Sequence, residues 1–130
     1  TGEGAGITGV IMNQQTVDIF NPKTIRATMG SIFRVPFVYV SELSPVLTQM
    51  HERGIHTYAA HLKGQKYYDS FSFREPIAFL IGNEGNGLTK EISDQAGQYL
   101  KIPMEGKVES LNASIAAALL MYEAHRQRNL

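Results

Sequence analysis

The stretch IAFLIGNEGNGL, residues 77–88, decides the fold of this chain. Its first five residues are all apolar, which is typical of a strand that is buried on both faces of a parallel sheet. The seven residues that follow contain Gly82, Gly85 and Gly87, and glycines let a backbone approach a ligand closely and adopt positive φ. The same pattern also fits a tight turn that needs glycine only for its geometry. The stretch therefore predicts a buried strand that ends in a candidate ligand loop.

Short apolar runs alternate with helix signals on both sides of this strand. Further strands are predicted at residues 7–12, 37–40, 56–60 and 99–102. Helices are predicted from Asn21-Pro22 to about residue 33, from Ser44-Pro45 to Gly54, from about Thr89, and over about 112–126. This alternation predicts one α/β domain over residues 1–130, with a parallel sheet covered by helices on both faces.

The last predicted helix is apolar on nearly every side. Its residues include Ala113, Ile115, Ala116, Ala117, Ala118, Leu119, Leu120 and Met121. A helix without a polar face is buried all round. We therefore expect one face to cover the sheet and the other to meet a second subunit; the alternative is that loops of the same chain fold over it.

Composition excludes several classes of protein. Apolar residues make up 43% and charged residues 18%, which is typical of a soluble globular domain. The absence of cysteine excludes disulfides and thiolate chemistry, and the four histidines have no metal-ligand spacing, so no metal is expected. No membrane span or signal peptide is predicted. Twelve basic residues balance twelve acidic ones, whereas binding of nucleic acid normally needs a local excess of basic groups.

Two loops are candidates for chemistry, because ligands of open parallel sheets bind beyond the carboxyl ends of the strands. These loops are residues 82–88 and 104–112. The first lacks the Lys-Ser/Thr of a phosphate-binding P-loop, and it follows the wrong strand for a dinucleotide fingerprint. The chain also has no G-x-S-x-G nucleophile turn. Nucleoside triphosphate hydrolysis, nicotinamide chemistry and α/β-hydrolase chemistry are therefore disfavoured.

Taken together, the two loops resemble those of a known family. Residues 81–88 are similar to the second signature of the SpoU (TrmH-like) RNA ribose 2′-O-methyltransferases, and residues 102–114, with Ser110-Leu111-Asn112, are similar to the third. Residues 21–33 resemble the helix after an early strand of that family. The resemblance covers nearly the whole chain in the expected order, and it is the presence of both signatures that makes it specific.

The resemblance implies a fold and an activity. Members transfer a methyl group from S-adenosylmethionine to a ribose 2′-hydroxyl, and ribosomal RNA is favoured here over transfer RNA. It further implies an α/β domain with a C-terminal trefoil knot, a homodimer, a cytoplasmic location and no metal. Three alternatives stay open: a non-catalytic module that binds S-adenosylmethionine or RNA, a transfer RNA 2′-O-methyltransferase, and methylation of a base.

The resemblance also implies site residues. The donor pocket is expected at Gly82, Ile102 and Leu111, largely through backbone contacts, with Ala60, His61 and Leu62 as a further wall. Glu84, Ser110 and Asn112 match the polar catalytic positions: Glu84 and Asn112 are expected to orient the site, and Ser110 to hydrogen-bond near the acceptor. The non-catalytic alternatives are a solvated carboxylate for Glu84 and a helix cap for Ser110 or Asn112.

The family pattern is incomplete at the front of the chain. Its first signature carries an Asn and an Arg that is thought to act as base, and residues 1–6 resemble the sequence just after that Arg. Arg26 and Arg34 belong to the following segment and do not match it. We therefore expect a catalytic domain that is incomplete at its N-terminal end and is weakly active or inactive by itself. Candidates for a phosphate-facing surface are Lys23, Arg26, Lys63, Lys66, Arg74 and Lys90.

Overall fold

The computed structural model describes residues 1–83 and 85–130 of the protein. The chain forms two compact units, Thr1–Leu43 and Ser44–Leu130. Each unit has its own sheet, and every strand pair is parallel. The predicted α/β class with parallel strands is therefore confirmed, while the expectation that residues 1–130 form a single catalytic domain stays a prediction.

The first unit pairs two strands. Its elements are α1 (Gly2–Ala5), β1 (Val10–Met12), α2 (Pro22–Thr28), a 3-10 turn (Ser31–Phe33) and β2 (Phe37–Tyr39). β1 and β2 are in parallel register, with Val10 opposite Phe37 and Met12 opposite Tyr39. Asn21 caps α2 as the sequence predicts, because its side chain accepts a hydrogen bond from Lys23 N–H at 2.9 Å.

Two sequence predictions are wrong in the first unit. The strand predicted over residues 7–12 begins only at Val10; the residues before it, for which no element was predicted, include a helical turn at Gly2–Ala5 that Gly6 ends at φ 84°. α2 ends at Thr28 rather than near residue 33, because Met29 and Gly30 adopt left-handed φ of 50° and 90°. Two consecutive left-handed residues cannot continue a right-handed helix.

The second unit is built on a three-stranded sheet. Its elements are α3 (Ser44–Glu52), β3 (His56–Ala60), a 3-10 turn (Tyr68–Ser70), β4 (Ile77–Leu80), α4 (Lys90–Asp94), β5 (Gln98–Leu100) and α5 (Ala113–Arg128). The strand order is β4-β3-β5. The three strands predicted in this unit are found within two residues of their expected bounds, and Gly54, the predicted end of α3, adopts φ 75°.

Helices cover both faces of this sheet. Successive residues of a strand point to opposite faces. On β3, the Thr57 hydroxyl lies 2.7 Å from Nε2 of His51, in α3, whereas Tyr58 packs in a cluster with Leu120, in α5. α3 and α5 therefore lie on opposite faces, as the sequence predicts.

The core of the second unit lies between the sheet and α5. It consists of Tyr58, Phe73, Leu100, Leu120 and Ala124. Phe73 meets the rings of Tyr58 and Phe79 edge-on, with ring centroids 5.1 Å apart in both pairs. Burial of one such large side chain stabilises the fold by about 1.5–3 kcal/mol, so this cluster is what fixes α5 on the sheet.

The last turn of α5 holds the segment between β3 and β4. The buried amide of Gln127 accepts a hydrogen bond from Phe73 N–H at 2.7 Å and donates one to Phe71 C=O at 2.9 Å. Arg128 donates to the carbonyls of Phe73 and Glu75, both at 2.8 Å. Four hydrogen bonds thus fix residues 71–75, which have no strand partner of their own.

The opposite face of α5 is exposed. Ile115 is 54% exposed, and Leu119 and Tyr122 are also exposed, so this face is open in the single chain and its burial by a second subunit stays a prediction. Among the described residues of the second unit, the loops leave this face uncovered. A groove of about 400 Å³ runs along it, and its lining is Tyr68, Ile115, Ala118, Leu119, Tyr122 and Glu123.

Candidate functional site

The parallel register brings three chain segments to one edge of the sheet. Ala59 pairs with Leu80 and Ala60 pairs with Leu100, so β3, β4 and β5 end side by side. The residues that follow these ends, including Gly82 and Ile102, therefore lie along the same edge. This carboxyl edge is where ligands of parallel sheets bind. The predicted site residues Ala60, Gly82 and Ile102 are thus brought together.

The glycine loop after β4 closes on itself. Gly87 N–H donates to Asn83 C=O at 2.9 Å, and Asn86 N–H donates to the Asn83 side chain at 2.7 Å. A Cβ on Gly82 would lie 2.2 Å from the carbonyl carbon of Gly87, which itself adopts φ 64°. Gly82 and Gly87 are therefore required by the geometry of the turn, whatever else they do. Glu84, the predicted catalytic carboxylate in this loop, lies outside the described residues.

The segment after β3 forms a second wall of the edge. His61 N–H continues the ladder to Leu100 C=O at 3.0 Å, and Gly64 N–H turns back to His61 C=O at 2.9 Å. A Cβ on Gly64 would lie 2.9 Å from the carbonyl carbon of Leu100, so only glycine fits there without a shift. Ala60 and Leu62 are exposed beside this turn.

His61 is held by two contacts. Its ring stacks on Tyr99, with centroids 4.4 Å apart and planes 11° from parallel. Its Nδ1 accepts a hydrogen bond from Lys63 N–H at 3.0 Å, so the neutral ring carries its proton on Nε2. The Tyr99 hydroxyl donates in turn to Asp94 at 3.2 Å. The hydrogen bond from Lys90 lowers the pKa of Asp94, and the hydrogen bond from the Tyr99 hydroxyl lowers it further.

The segment after β5 carries the remaining predicted residues. Ile102 packs partly buried against the core cluster, Leu111 is half-buried and Ser110 is exposed. Asn112 is the N-cap of α5: its Oδ1 accepts from Ser114 N–H at 2.9 Å and from Ile115 N–H at 3.3 Å. The helix-cap alternative is therefore confirmed for Asn112, and Ser110 is not the cap.

Sequence reasoning missed two residues of this edge. Gly64 stands in the polar loop after β3, and a glycine just past a predicted strand is a signal that could have been used. Tyr99 lies on β5, 38 residues from His61, and nothing in the sequence pattern indicates that their rings stack. Both residues shape the wall that was predicted from Ala60, His61 and Leu62.

Residues 1–83 and 85–130 contain no group of three His, Asp or Glu side chains that could hold a metal ion. Within the same residues, no helix combines the length and apolar character needed to cross a membrane.

The comparisons with known proteins agree on one family. The family model described as the SpoU rRNA Methylase family matches residues 1–122. The chain is 34% identical, over 99% of its length, to a protein of Staphylococcus haemolyticus named as a TrmH family tRNA/rRNA methyltransferase, and 33% identical to a Bacillus subtilis protein with the same family name. It spans 52% of the length of each, which is about half.

Solved structures of SpoU and related RNA methyltransferases are also similar to this chain. The SpoU methyltransferase AviRb from Streptomyces viridochromogenes, in complex with AdoMet (S-adenosylmethionine), is similar with a TM-score of 0.90 and 32% identity, over 98% of this chain and 53% of that one. An AdoMet-bound rRNA methyltransferase from Sinorhizobium meliloti has a TM-score of 0.86 and 33% identity, over 96% and 48%. A structure described as an RNA 2′-O ribose methyltransferase has a TM-score of 0.86 and 34% identity, over 99% and 49%.

Proposed function

The chain belongs to the SpoU rRNA methylase family, and we propose that the protein transfers a methyl group from S-adenosylmethionine to a ribose 2′-hydroxyl of RNA. One observation carries the proposal: the parallel register places the loops that resemble two family signatures at one edge of the sheet. The similar structure described as an RNA 2′-O ribose methyltransferase supports the ribose target. Two similar structures with bound AdoMet support the donor.

The donor is proposed to lie along the carboxyl edge. Gly82, Ile102 and Leu111 would hold it mainly by backbone groups, with the main chain of residues 60–62 as a further wall. The residues fit such a ligand, because half-exposed apolar side chains at 102 and 111 can cover adenine and methionine carbons while main-chain groups read the adenine edge. The donor supplies a methyl group on a sulfonium, which is a good leaving group.

The acceptor side is proposed to use Glu84, Ser110 and Asn112. In methyl transfer, a bond forms between the methyl carbon and the ribose O2′ while the sulfur–methyl bond breaks, and the hydroxyl proton must leave. The protein therefore needs to place the hydroxyl in line and to assist the departure of its proton. Ser110 is exposed and can hydrogen-bond to an acceptor, and Asn112 is fixed in orientation by its capping bonds. Glu84 is proposed to orient the site, and this role rests only on its position in the sequence.

We propose ribosomal RNA as the substrate class. The description of the matching family model names rRNA, and the similar protein of Sinorhizobium meliloti is described as an rRNA methyltransferase. The similar Staphylococcus haemolyticus protein is named for both transfer and ribosomal RNA. We also propose a cytoplasmic location and a C-terminal trefoil knot, because the resemblance to the family implies both.

A homodimer is proposed from the exposed face of α5. Ile115, Leu119 and Tyr122 leave an apolar groove open on a helix whose other face is fixed on the sheet. Exposed contiguous apolar surface of this kind marks interaction sites. A second copy of the chain is the occupant that the family resemblance implies.

Calorimetric titration with S-adenosylhomocysteine, the demethylated product, tests the donor site. We expect saturable binding that Leu111→Arg abolishes and that Leu130→Arg, the same change at an exposed position outside the site, leaves unchanged. Binding is the readout because no residue of this sequence matches the arginine base of the family. If the folded wild-type chain and a longer form of the protein both fail to bind, the donor assignment is wrong.

The ribose target needs a separate experiment. RNA methylated by a longer form of the protein would be digested to nucleosides and analysed by mass spectrometry. We expect the added 14 mass units on the sugar, whereas a methyl group on the base would support the alternative of base methylation.

A further inference from the structure

Basic and aromatic side chains lie at or just beyond the carboxyl ends of β3 and β5. They are His61, Lys63, Lys66, Tyr67, Tyr99 and Lys101, and we call this set the aromatic–lysine strip. Residues 60–68 and 99–103, which carry it, contain three lysines and no Asp or Glu. The chain as a whole is neutral, whereas these two segments carry three positive charges, with the carboxylates of Asp69 and Asp94 at their borders.

Backbone hydrogen bonds hold the strip together. Lys101 N–H donates to Lys66 C=O at 3.0 Å, and Tyr68 N–H donates to Lys101 C=O at 2.9 Å. At the other end, His61 N–H donates to Leu100 C=O at 3.0 Å. The two segments are thus fixed side by side along their length, and the lysines are carried on a rigid scaffold.

The lysines of the strip have no acidic partner within the described residues. Lys90, which lies outside the strip, is paired with Asp94 at 2.7 Å, but Lys63, Lys66 and Lys101 form no ion pair among residues 1–83 and 85–130. Lys63 and Lys66 are exposed. Unpaired ammonium groups on exposed backbone are available to a phosphate.

The aromatic groups of the strip are partly exposed. Tyr99 stacks on one face of His61, and His61 as a whole is only half-buried. Lys63 N–H holds Nδ1 of the same ring, which fixes its orientation. Tyr67, which pairs with Lys101, is 51% exposed. A fixed, half-exposed ring is a stacking surface for a base.

We propose that the aromatic–lysine strip binds a single-stranded segment of the RNA substrate. The imidazole of His61 stacks on a base, and Lys63, Lys66 and Lys101 contact phosphates. Single-stranded RNA is recognised by this combination of aromatic stacking and basic groups along the backbone. The inference rests on the proposed RNA methyltransferase function. It assigns the side chain of His61 to RNA, whereas the donor is expected to contact the main chain of residues 60–62.

The test measures binding of RNA and of the donor product separately. A fluorescein-labelled 12-nucleotide oligouridine would be titrated with the 130-residue chain, with fluorescence anisotropy as the readout, over a series of salt concentrations. S-adenosylhomocysteine binding would be followed by calorimetry on the same samples. Thermal unfolding followed by circular dichroism confirms that each variant is folded.

Removal of the ring should weaken RNA binding. We expect His61→Ala to lower RNA affinity at least about fivefold, because a stacked base contributes about 1–3 kcal/mol. His61→Phe, which keeps a flat ring on Tyr99, should retain most of the affinity. Lys66→Gln, a change in the strip outside the donor wall, should leave the affinity for S-adenosylhomocysteine unchanged. Loss of S-adenosylhomocysteine affinity in His61→Ala with unchanged RNA binding would place the ring in the donor pocket and overturn the proposal.

Removal of the lysines should change the dependence on salt. The slope of log affinity against log salt falls by about 0.7 for each phosphate contact to a single strand. We expect Lys63→Gln with Lys101→Gln to reduce the slope by about 1.4, while the matched double variant Arg53→Gln with Lys107→Gln leaves it unchanged. An equal reduction of the slope in both double variants would overturn the proposal. The absence of RNA binding by the wild-type chain at low salt would also overturn it, whether or not S-adenosylhomocysteine binds.

Discussion

Glu3 and Arg34 lie 31 residues apart and form a bidentate ion pair, with Arg34 Nε 2.7 Å from Oε2 and Nη2 2.8 Å from Oε1 of Glu3. Ser31 also donates to this carboxylate, at 2.8 Å. The hydrogen bonds from Arg34 and then from Ser31 lower the pKa of Glu3 from 4.5 to about 2. The pair connects α1 to the 3-10 turn before β2.

The Glu3–Arg34 pair predicts a stability difference that depends on pH. Because the pKa of Glu3 is lower in the folded chain than in the unfolded one, its contribution is fully present above about pH 4.5 and is lost as the pH falls to about 2. We expect Glu3→Gln to lower the thermal midpoint at pH 7, and the difference from wild type to shrink below pH 4.5. Both groups are exposed, so the effect is modest and weaker in high salt. Thermal scans at pH 7, 5 and 3 check this, with Glu42→Gln as a charge-matched control. A difference that does not change with pH would contradict the assignment.

The glycine loop gives a second prediction. A Cβ at residue 82 would clash with the backbone of Gly87 at 2.2 Å, whereas at residue 85 it would meet only the Asn83 side chain at 3.7 Å. We expect Gly82→Ala to displace the loop, to cost about 1–3 kcal/mol of stability, and to weaken S-adenosylhomocysteine binding at least about tenfold. Gly85→Ala should change the affinity little. Calorimetry on both variants checks this, and equal affinities would show that the donor does not depend on the shape of the loop.

The hydroxyl group of Thr57 should contribute more to the free energy of unfolding than the volume of its side chain does. The residue is 1% exposed, and its Oγ1 accepts from Gly97 N–H at 2.8 Å and lies 2.7 Å from His51 Nε2. Thr57→Val keeps the shape but leaves the Gly97 donor unpaired, so we expect a loss of about 1–3 kcal/mol in the free energy of unfolding. Thr57→Ser keeps the hydroxyl and should lose less. Urea denaturation of both variants checks the order, and the reverse order would mean that packing dominates.

The side-chain amide of Gln127, at the end of α5, should make a similar contribution to the free energy of unfolding. Its buried amide holds Phe73 N–H and Phe71 C=O. Gln127→Leu would leave both backbone groups without this partner, and we expect a loss of about 1–3 kcal/mol. Gln49→Leu, the same change at an exposed position of α3, should stay within about 0.5 kcal/mol of wild type. Urea denaturation measures both; equal losses would mean that Gln127 does not hold the 71–75 segment.

The exposed face of α5 predicts an effect on assembly. If a second copy covers the groove, a carboxylate at Leu119 would be buried without a partner on association. We expect Leu119→Asp to shift a dimer to a monomer in sedimentation velocity, with the thermal midpoint then less dependent on protein concentration than in wild type. Leu130→Asp adds the same charge at an exposed position and should not change the mass. A wild-type chain that sediments as a monomer at all concentrations would contradict the homodimer.

Local signals predicted most of the elements. The apolar run at residues 77–81 became β4, because continuous apolar residues are typical of a strand between two helical layers. Thr89 and Asn112, read from the sequence at the starts of helices, both accept capping hydrogen bonds. The parallel class followed from the alternation of strands and helices.

Contacts between distant residues were not predictable. The stacking of His61 on Tyr99 and the bonds of Gln127 to residues 71–73 join positions 38 or more apart, and no local pattern encodes such pairs. The break after Thr28 was missed because Met29, not a glycine, takes the left-handed conformation. For the site, the common carboxyl edge was predictable from topology, but which side chain caps α5 was settled only by the structure.

The dependence of residues 71–75 on Gln127 and Arg128 has a consequence for the order of events during synthesis. β3 and β4 can pair once residue 80 has left the ribosome, yet the segment that joins them gains these partners only after residue 128 has emerged, some 50 residues later. At about 5–20 residues per second, that interval lasts a few seconds. Throughout it, the aromatic side chains of Phe71 and Phe73 have no helix above them, so they are the part of the nascent chain that a chaperone would meet.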